Sequence, residues 1–145
     1  MIKEVDLKVA CEGLVAVGNK IVPLVVDREY RIFDFNLKQT GTIPIKLLNC
    51  AYLSYHNDKL YFAKWTTDTV FCYDITGNCV WEFKDERLLK PAGIATDKYG
   101  LVCVCGFDSC NIMVISADGG RAKELVNLTG IMKKPLCLNN KEIVF

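Results

Sequence analysis

Cysteine is the residue type that could support the most reactive chemistry in this sequence of 145 residues. Eight cysteines stand against a single histidine, His56. No two cysteines have the C-x-x-C spacing of structural zinc sites. Cys103 and Cys105 lie in an apolar run where a strand directs both side chains to one face, and Cys72 and Cys79 flank a turn that would bring them close. We predict reduced, buried thiols that pack as small apolar groups, with no metal and no cofactor.

Other catalytic arrangements are missing from the sequence. It contains no G-x-S-x-G nucleophile elbow, no G-x-x-x-x-G-K phosphate loop and no H-E-x-x-H zinc motif. We therefore expect no catalytic residue in this segment.

Composition narrows the class of protein further. Hydrophobic residues make up 51% of the chain and charged residues 24%, with a net charge of +1. This balance excludes disorder, and it excludes a chain-wide cationic field that would attract nucleic acid at long range. The longest uncharged apolar stretches, Ile21–Val26 and Leu101–Phe107, are too short to span a membrane. The first ten residues lack the apolar centre of a signal peptide, so we expect a cytoplasmic protein.

A repeated pattern organises the chain. Asp27, Asp68 and Asp108 each follow a second apolar segment, and they recur at intervals of 41 and 40 residues. Each unit holds four short segments rich in Val, Ile, Phe and Tyr, separated by polar turns such as Thr76-Gly77-Asn78 and Asp118-Gly119-Gly120. A period of about 40–45 residues with four strands per unit is typical of a β-propeller blade.

The sequence therefore predicts an all-β fold, a partial β-propeller of about three four-stranded blades plus the start of a fourth. The blades cover about residues 7–46, 50–84 and 91–127, and the incomplete fourth covers about residues 135–145. The alternative is another antiparallel meander, a sandwich or small barrel. Closed propellers have about 4–8 blades, so we expect a fragment or a chain whose open edges are covered by missing blades of a longer parent or by another copy. A compact fold of three blades is the alternative.

The third unit carries a family resemblance. The segment Lys90–Gly120 resembles an NHL repeat, with a proline, a Gly-Ile-Ala run, an Asp, a Gly, an apolar strand, an Ile/Val strand and a final Asp-Gly. The matching residues are Pro91, Gly93, Ile94, Ala95, Asp97, Gly100, Ile112, Val114, Ile115, Asp118 and Gly119. The sequence departs from the pattern at Cys103 and Cys105, and the first two units match more loosely. The whole is similar to the carboxyl-terminal propellers of TRIM-NHL (tripartite motif) proteins.

This resemblance implies a function. In TRIM-NHL proteins the corresponding propeller surface binds RNA or protein, and in a TRIM-type E3 ubiquitin ligase it would select the substrate. No RING or B-box domain is represented in these residues.

Strand parity places the candidate binding residues on one end of the sheets. Because successive strands run antiparallel, the loops between second and third strands share an end with the connections between blades. This end is rich in cations and aromatic residues, which hold phosphates, stack bases or anchor protein interfaces. The candidates are Arg28, Lys46, Trp65, Arg87, Lys90, Phe107, Lys133 and Lys134.

Each candidate also has a structural interpretation. Trp65 would equally well cover the edge of its own blade, and Lys90 and Lys133-Lys134 precede prolines in matching positions, where they would simply solvate a loop. The aspartates Asp27, Asp68 and Asp108 are interpreted as structural residues that hold their own turns by hydrogen bonds to the backbone.

We therefore predict a non-catalytic interaction module whose partner is a protein or a single-stranded RNA. The alternative is a fragment of a propeller hydrolase or lyase with a metal on the central axis.

Overall fold

The computed structural model describes residues 11–18, 20–25, 30–45 and 52–130, and for residues 11–14, 17 and 21–25 the backbone alone. Every regular element in these ranges is a β-strand. The strands are β1 Cys11–Val17, β2 Lys20–Val25, β3 Tyr30–Asp34, β4 Gln39–Ile43, β5 Tyr52–His56, β6 Lys59–Lys64, β7 Thr69–Asp74, β8 Cys79–Phe83, β9 Pro91–Thr96, β10 Val102–Gly106, β11 Asn111–Ile115 and β12 Ala122–Asn127.

The strands form three antiparallel sheets of four. Their orders are β1-β2-β3-β4, β5-β6-β7-β8 and β9-β10-β11-β12, so each sheet is a simple meander. The first strands of the sheets are neighbours, because β5 lies against both β1 and β9. A hydrogen bond joins two of these inner strands, where the hydroxyls of buried Ser54 and Thr96 lie 2.9 Å apart. The sheets therefore fan outward from a shared inner edge.

Both faces of β6 in the second sheet are buried, which explains its continuous apolar run from Leu60 to Ala63. Alternate residues of a strand point to opposite faces. Leu60 and Phe62 pack with Tyr30 and Ile43 of the first sheet, and aromatic contacts such as Tyr30–Phe62, with ring centroids 4.9 Å apart, lie in this interface. The opposite face, including Tyr61, packs on the third sheet through a second cluster.

A five-residue turn recurs where strands are joined. The carboxylates of Asp34, Asp74 and Asp97 each accept two backbone N–H groups, from the second and fourth residues that follow, at 2.8–3.0 Å. The residue three positions after the aspartate has a positive φ of 93° at Gly77 and 83° at Gly100, but it is Leu37, at 64°, in the first sheet. An Asp followed three residues later by a left-handed residue is thus the local code for this turn.

Acid should weaken the turn that Asp74 holds, and replacing Asp74 with Asn should reduce that effect. The Thr76 hydroxyl and the Asn78 N–H lower the pKa of Asp74 from the ordinary 3.8 to about 2. Since the folded pKa is depressed, the stabilisation is complete above pH 3.8 and is lost as the pH falls toward 2. We expect Asp74→Asn to lower the urea midpoint at pH 7 and to flatten its decline between pH 4 and 2.

Glu82→Gln provides the control for this test, because it removes the same charge from the exposed face of β8. A decline in the urea midpoint that is equally steep in wild type and Asp74→Asn would contradict the role given to Asp74.

Adjacent sheets also meet through the outer turns. A Cβ added to Gly77 would lie 2.9 Å from Pro44, which follows β4, and one added to Gly119 would lie 2.6 Å from the Trp81 indole of β8. The Trp81 Nε1–H donates a hydrogen bond of 3.1 Å to the carbonyl of Ala117 in that second turn. In both interfaces a turn of the later sheet therefore sits closely on the outer edge of the earlier sheet.

The structure confirms the predicted all-β fold with four-stranded antiparallel sheets in a partial propeller. The sheets span Cys11–Ile43, Tyr52–Phe83 and Pro91–Asn127. The predicted start of a fourth blade, residues 135–145, lies outside the described residues. Among the residues that are described, none belongs to a helix with the length and apolarity to cross a membrane.

Candidate functional site

The candidate site lies at the end of the sheets that carries the β6–β7 and β10–β11 loops and the connection from β8 to β9; we call it the loop end. Trp65 opens the β6–β7 loop, and its side chain is 53% exposed. Thr69 closes the loop by donating its hydroxyl to the Thr67 carbonyl at 2.8 Å. The indole thus projects from a loop that is held by its own hydrogen bonds.

Lys90 connects the loops of the second and third sheets at the loop end. Its backbone N–H donates to the Asp68 carboxylate at 2.7 Å, and its ammonium group pairs with the Asp108 carboxylate at the same distance. The hydrogen bond to Asp108 raises the pKa of Lys90. Lys90 has a positive φ of 46°, a conformation that is costly for a lysine and is sustained here by these contacts.

Asp68 and Asp108 make contacts that differ from the prediction that each holds its own turn. Asp68 was expected to hold its own turn, yet its carboxylate accepts a hydrogen bond from Lys90, 22 residues further on. Asp108 likewise binds the Lys90 ammonium group. Both residues are structural, but in these contacts they fasten one loop to another. Sequence spacing gives no signal for such pairing. Asp27, the third residue of the series, lies outside the described residues.

Arg87 is also paired within the chain. Its Nε and Nη2 atoms donate to the two oxygens of Asp85 at 2.8 and 2.6 Å, and its backbone N–H donates to Asp85 at 2.9 Å. These bonds lower the pKa of Asp85 to about 2 and raise the pKa of Arg87. Because the guanidinium group is held in a two-pronged contact, it has fewer donors to offer a ligand.

Two apolar residues adjoin these ion pairs. Phe107 is half-buried, and its N–H donates to the Lys90 carbonyl at 3.0 Å. Leu89 is exposed, and its carbonyl accepts the N–H of Asp108 at 3.2 Å. We call Trp65, Leu89 and Phe107 the Trp65 surface. Leu89 was missed by the sequence interpretation, although it directly precedes Lys90.

Buried Asn111 holds the β8–β9 connection in place by hydrogen bonds. The sequence interpretation also missed this residue. Its side chain is 1% exposed. The amide nitrogen donates to the Arg87 carbonyl at 2.7 Å and to Glu124 at 2.8 Å, and the amide oxygen accepts the Ser109 hydroxyl at 2.7 Å. Ser109 in turn accepts the N–H of Leu89 at 3.1 Å. The amide therefore fastens the β8–β9 connection to the third sheet.

The remaining predicted binding residues are Arg28, Lys46, Lys133 and Lys134. They lie outside the described residues, so their prediction stays as it was made. Of the candidates that the structure does describe, Trp65, Arg87, Lys90 and Phe107 all lie in loops of the loop end.

The thiols offer little nucleophilic chemistry. Burial raises the pKa of Cys72 to about 11 and that of Cys103 to about 11, which keeps both protonated at neutral pH. Cys72, Cys103 and Cys105 are buried free thiols, as predicted, but Cys79 is exposed, so the expected burial is wrong for that residue. Within the described ranges no three His, Cys, Asp or Glu side chains are grouped to hold a metal ion.

Comparisons with known proteins bear on the fold. No family model matches the sequence, and no curated protein matches it. Solved structures do match. The RRP9 WD40 repeats superpose with a TM-score of 0.65 at 11% identity, covering 82% of this chain and 39% of that chain. Streptogramin B lyase gives 0.62 at 14% identity, with 82% and 41% covered. The computationally designed Ika4 protein gives 0.69 at 16% identity, with 98% and 89% covered.

These similarities define the class of fold. The chain has a β-propeller fold, and it spans about two fifths of the RRP9 and lyase chains. At these identities the likeness concerns the fold alone. The finer resemblance to NHL repeats and TRIM-NHL proteins stays a prediction from the residues of the third unit.

Proposed function

We propose that this chain is a non-catalytic interaction module that binds a protein partner through the Trp65 surface. The observation that carries the proposal is the 53% exposed indole of Trp65 at the loop end, where Leu89 is exposed as well. Tryptophan is enriched among the residues that dominate the binding energy of protein interfaces. The hydrogen bond between Asp68 and Lys90 holds the two loops of this surface together.

The ion pairs of Lys90 and Arg87, two described cations of the loop end, favour protein over RNA as the partner. RNA binding needs cations that can approach phosphates. Lys90 and Arg87 instead pair with Asp108 and Asp85, at 2.7 and 2.6 Å. Phosphate binding at either cation would bring an anion beside a carboxylate that is already in place. An exposed aromatic side chain at an end where these two cations are paired suits a protein partner.

The resemblance of Lys90–Gly120 to NHL repeats supports a finer proposal. In a TRIM-type ubiquitin ligase the protein bound by the propeller is the substrate. We extend the proposal to that role, with the Trp65 surface as the part that selects the substrate.

Replacement of Trp65 by serine tests the protein-binding role. Because the side chain is exposed, the free energy of unfolding should change by less than about 0.5 kcal/mol, whereas affinity for the partner should fall at least about tenfold. Wild-type and variant chains on beads would be compared for the proteins they retain from an extract treated with nuclease.

Tyr99→Ser is the matched control for this capture. Tyr99 is an aromatic residue that is 73% exposed and lies in the β9–β10 turn, at the other end of the sheets. The proposal predicts a retained protein that is lost with Trp65→Ser and kept with Tyr99→Ser. Loss with both variants, or with neither, would contradict it.

RNA binding is measured separately with a fluorescent oligouridine over a salt series. We expect the chain not to bind this RNA with the steep salt dependence that phosphate contacts produce. Tight binding that falls with salt and disappears when Arg87 and Lys90 are replaced by serine would replace the protein proposal with the RNA alternative.

A further inference from the structure

Three hydrogen bonds join the short segment Leu89-Lys90 to the β10–β11 loop. The Leu89 N–H donates to the Ser109 hydroxyl at 3.1 Å, and the Leu89 carbonyl accepts the Asp108 N–H at 3.2 Å. The Lys90 carbonyl accepts the Phe107 N–H at 3.0 Å. The segment and the loop therefore lie side by side, and a movement of one would carry the other with it.

The remaining backbone group of this segment binds the loop that carries Trp65. The Lys90 N–H donates to the Asp68 carboxylate at 2.7 Å. Asp68 directly precedes β7, at the end of the four-residue loop that Trp65 opens. A hydrogen bond to a charged acceptor is stronger than one between neutral groups. Asp68 thus links the Trp65 loop to the segment that contains Leu89.

The backbone conformation of Lys90 depends on such contacts. Its φ of 46° is left-handed, which is costly for a residue with a side chain. The next residue is Pro91, and a following proline favours extended backbone instead. Rotation about the N–Cα bond of Lys90 changes the direction of Leu89 relative to β9, which begins at Pro91. Loss of the bond to Asp68 would therefore let Lys90 relax and move Leu89.

We propose that Asp68 is a positioning residue of the Trp65 surface. Its carboxylate fixes Lys90 in the left-handed conformation. This conformation presents Leu89 and Phe107 together with the Trp65 indole, so that loops of the second and third sheets act as one binding unit. The role of Asp68 rests on the proposed function of this surface, and it requires no contact between Asp68 and the partner.

Amide hydrogen exchange in the full chain, followed by NMR, tests the link without a partner. Asp68→Gly removes the carboxylate and introduces a residue that tolerates the φ of 52° at this position. We expect the amides of Lys90, Phe107 and Asp108 to exchange at least about tenfold faster in this variant. Faster exchange at Lys90 alone would overturn the proposal, because the bond would then hold no other part of the surface.

Asp97→Gly is the matched control variant. The Asp97 carboxylate accepts the Leu101 N–H at 2.8 Å in the β9–β10 turn, so this substitution removes the same kind of bond at the other end of the sheets. Each glycine variant should speed exchange at its own end and leave the other end unchanged. Asp68→Asn retains an oxygen acceptor and should keep exchange at Lys90 within about threefold of wild type.

The protein that the bead capture retains through Trp65 provides the binding measurement. Asp68→Gly should lower its affinity at least about tenfold, whereas Asp68→Asn and Asp97→Gly should leave it within about threefold. An affinity that Asp68→Gly leaves unchanged, or that Asp97→Gly lowers equally, would overturn the positioning role while the role of Trp65 stands. A capture that does not depend on Trp65 would instead contradict the proposed function.

Discussion

Replacement of Gly119 by alanine is expected to lower the free energy of unfolding by about 3 kcal/mol. Two effects add. The residue has a φ of 73°, where a side chain is strained, and the added Cβ would lie 2.6 Å from Cδ2 and 2.7 Å from Cγ of Trp81. The indole cannot yield easily, because its Nε1–H is bonded to Ala117 in the same turn. Urea unfolding followed by tryptophan fluorescence would measure the loss.

Gly18→Ala is the matched control. Gly18 also has a positive φ, of 55°, but nothing lies within 4 Å of its added Cβ. Gly18→Ala should therefore lower the free energy of unfolding only by the backbone strain, about 1 kcal/mol. The difference between the two variants measures the packing of the third sheet on the second. Equal losses would contradict the described interface.

The second large effect is expected at Asn111. Asn111→Asp keeps the shape of the side chain but replaces its donating nitrogen by an oxygen, opposite the Glu124 carboxylate and the Arg87 carbonyl. Because the site is buried, we expect a loss of about 3 kcal/mol at pH 7. Burial beside another carboxylate raises the folded pKa of the introduced group above its unfolded value. The deficit relative to wild type should therefore grow as the pH rises above about 4 and shrink below it.

A second substitution and an exposed control complete this test. Adding Glu124→Gln to Asn111→Asp supplies a donor and removes one charge, so it should restore more than half of the loss. Asn127→Asp adds a charge beside the same glutamate, 3.4 Å from it, but on the surface, where it should cost less than about 0.5 kcal/mol. Equal effects at Asn111 and Asn127 would contradict the role of the buried amide.

The fold could be predicted from the sequence because its determinants are local. Strand alternation, glycine-containing turns and a period near 40 residues all lie within one unit, and each unit repeats them. Cys103 and Cys105 share a face for the same reason, opposite the buried residues Val102 and Val104 of the interface with the second sheet. The role of Asp74 could also have been predicted, from its spacing to Gly77.

The partners of the loop-end charges could not be predicted. Asp68 lies in the β6–β7 loop and Lys90 in the connection from β8 to β9, 22 residues further on, so their contact depends on how the second and third sheets are arranged. The sequence showed a cationic, aromatic end, whereas the structure shows Lys90 and Arg87 held by Asp108 and Asp85. Because these two cations are paired, we propose a protein rather than an RNA as the partner.

A photo-crosslinking amino acid placed at position 65 tests the central claim most directly. Irradiation in cells should join the chain to a protein, giving an adduct that resists ribonuclease and is digested by protease. The same amino acid at position 99 should give no such adduct. An adduct at position 65 that ribonuclease destroys, or identical adducts from both positions, would contradict protein recognition by the Trp65 surface.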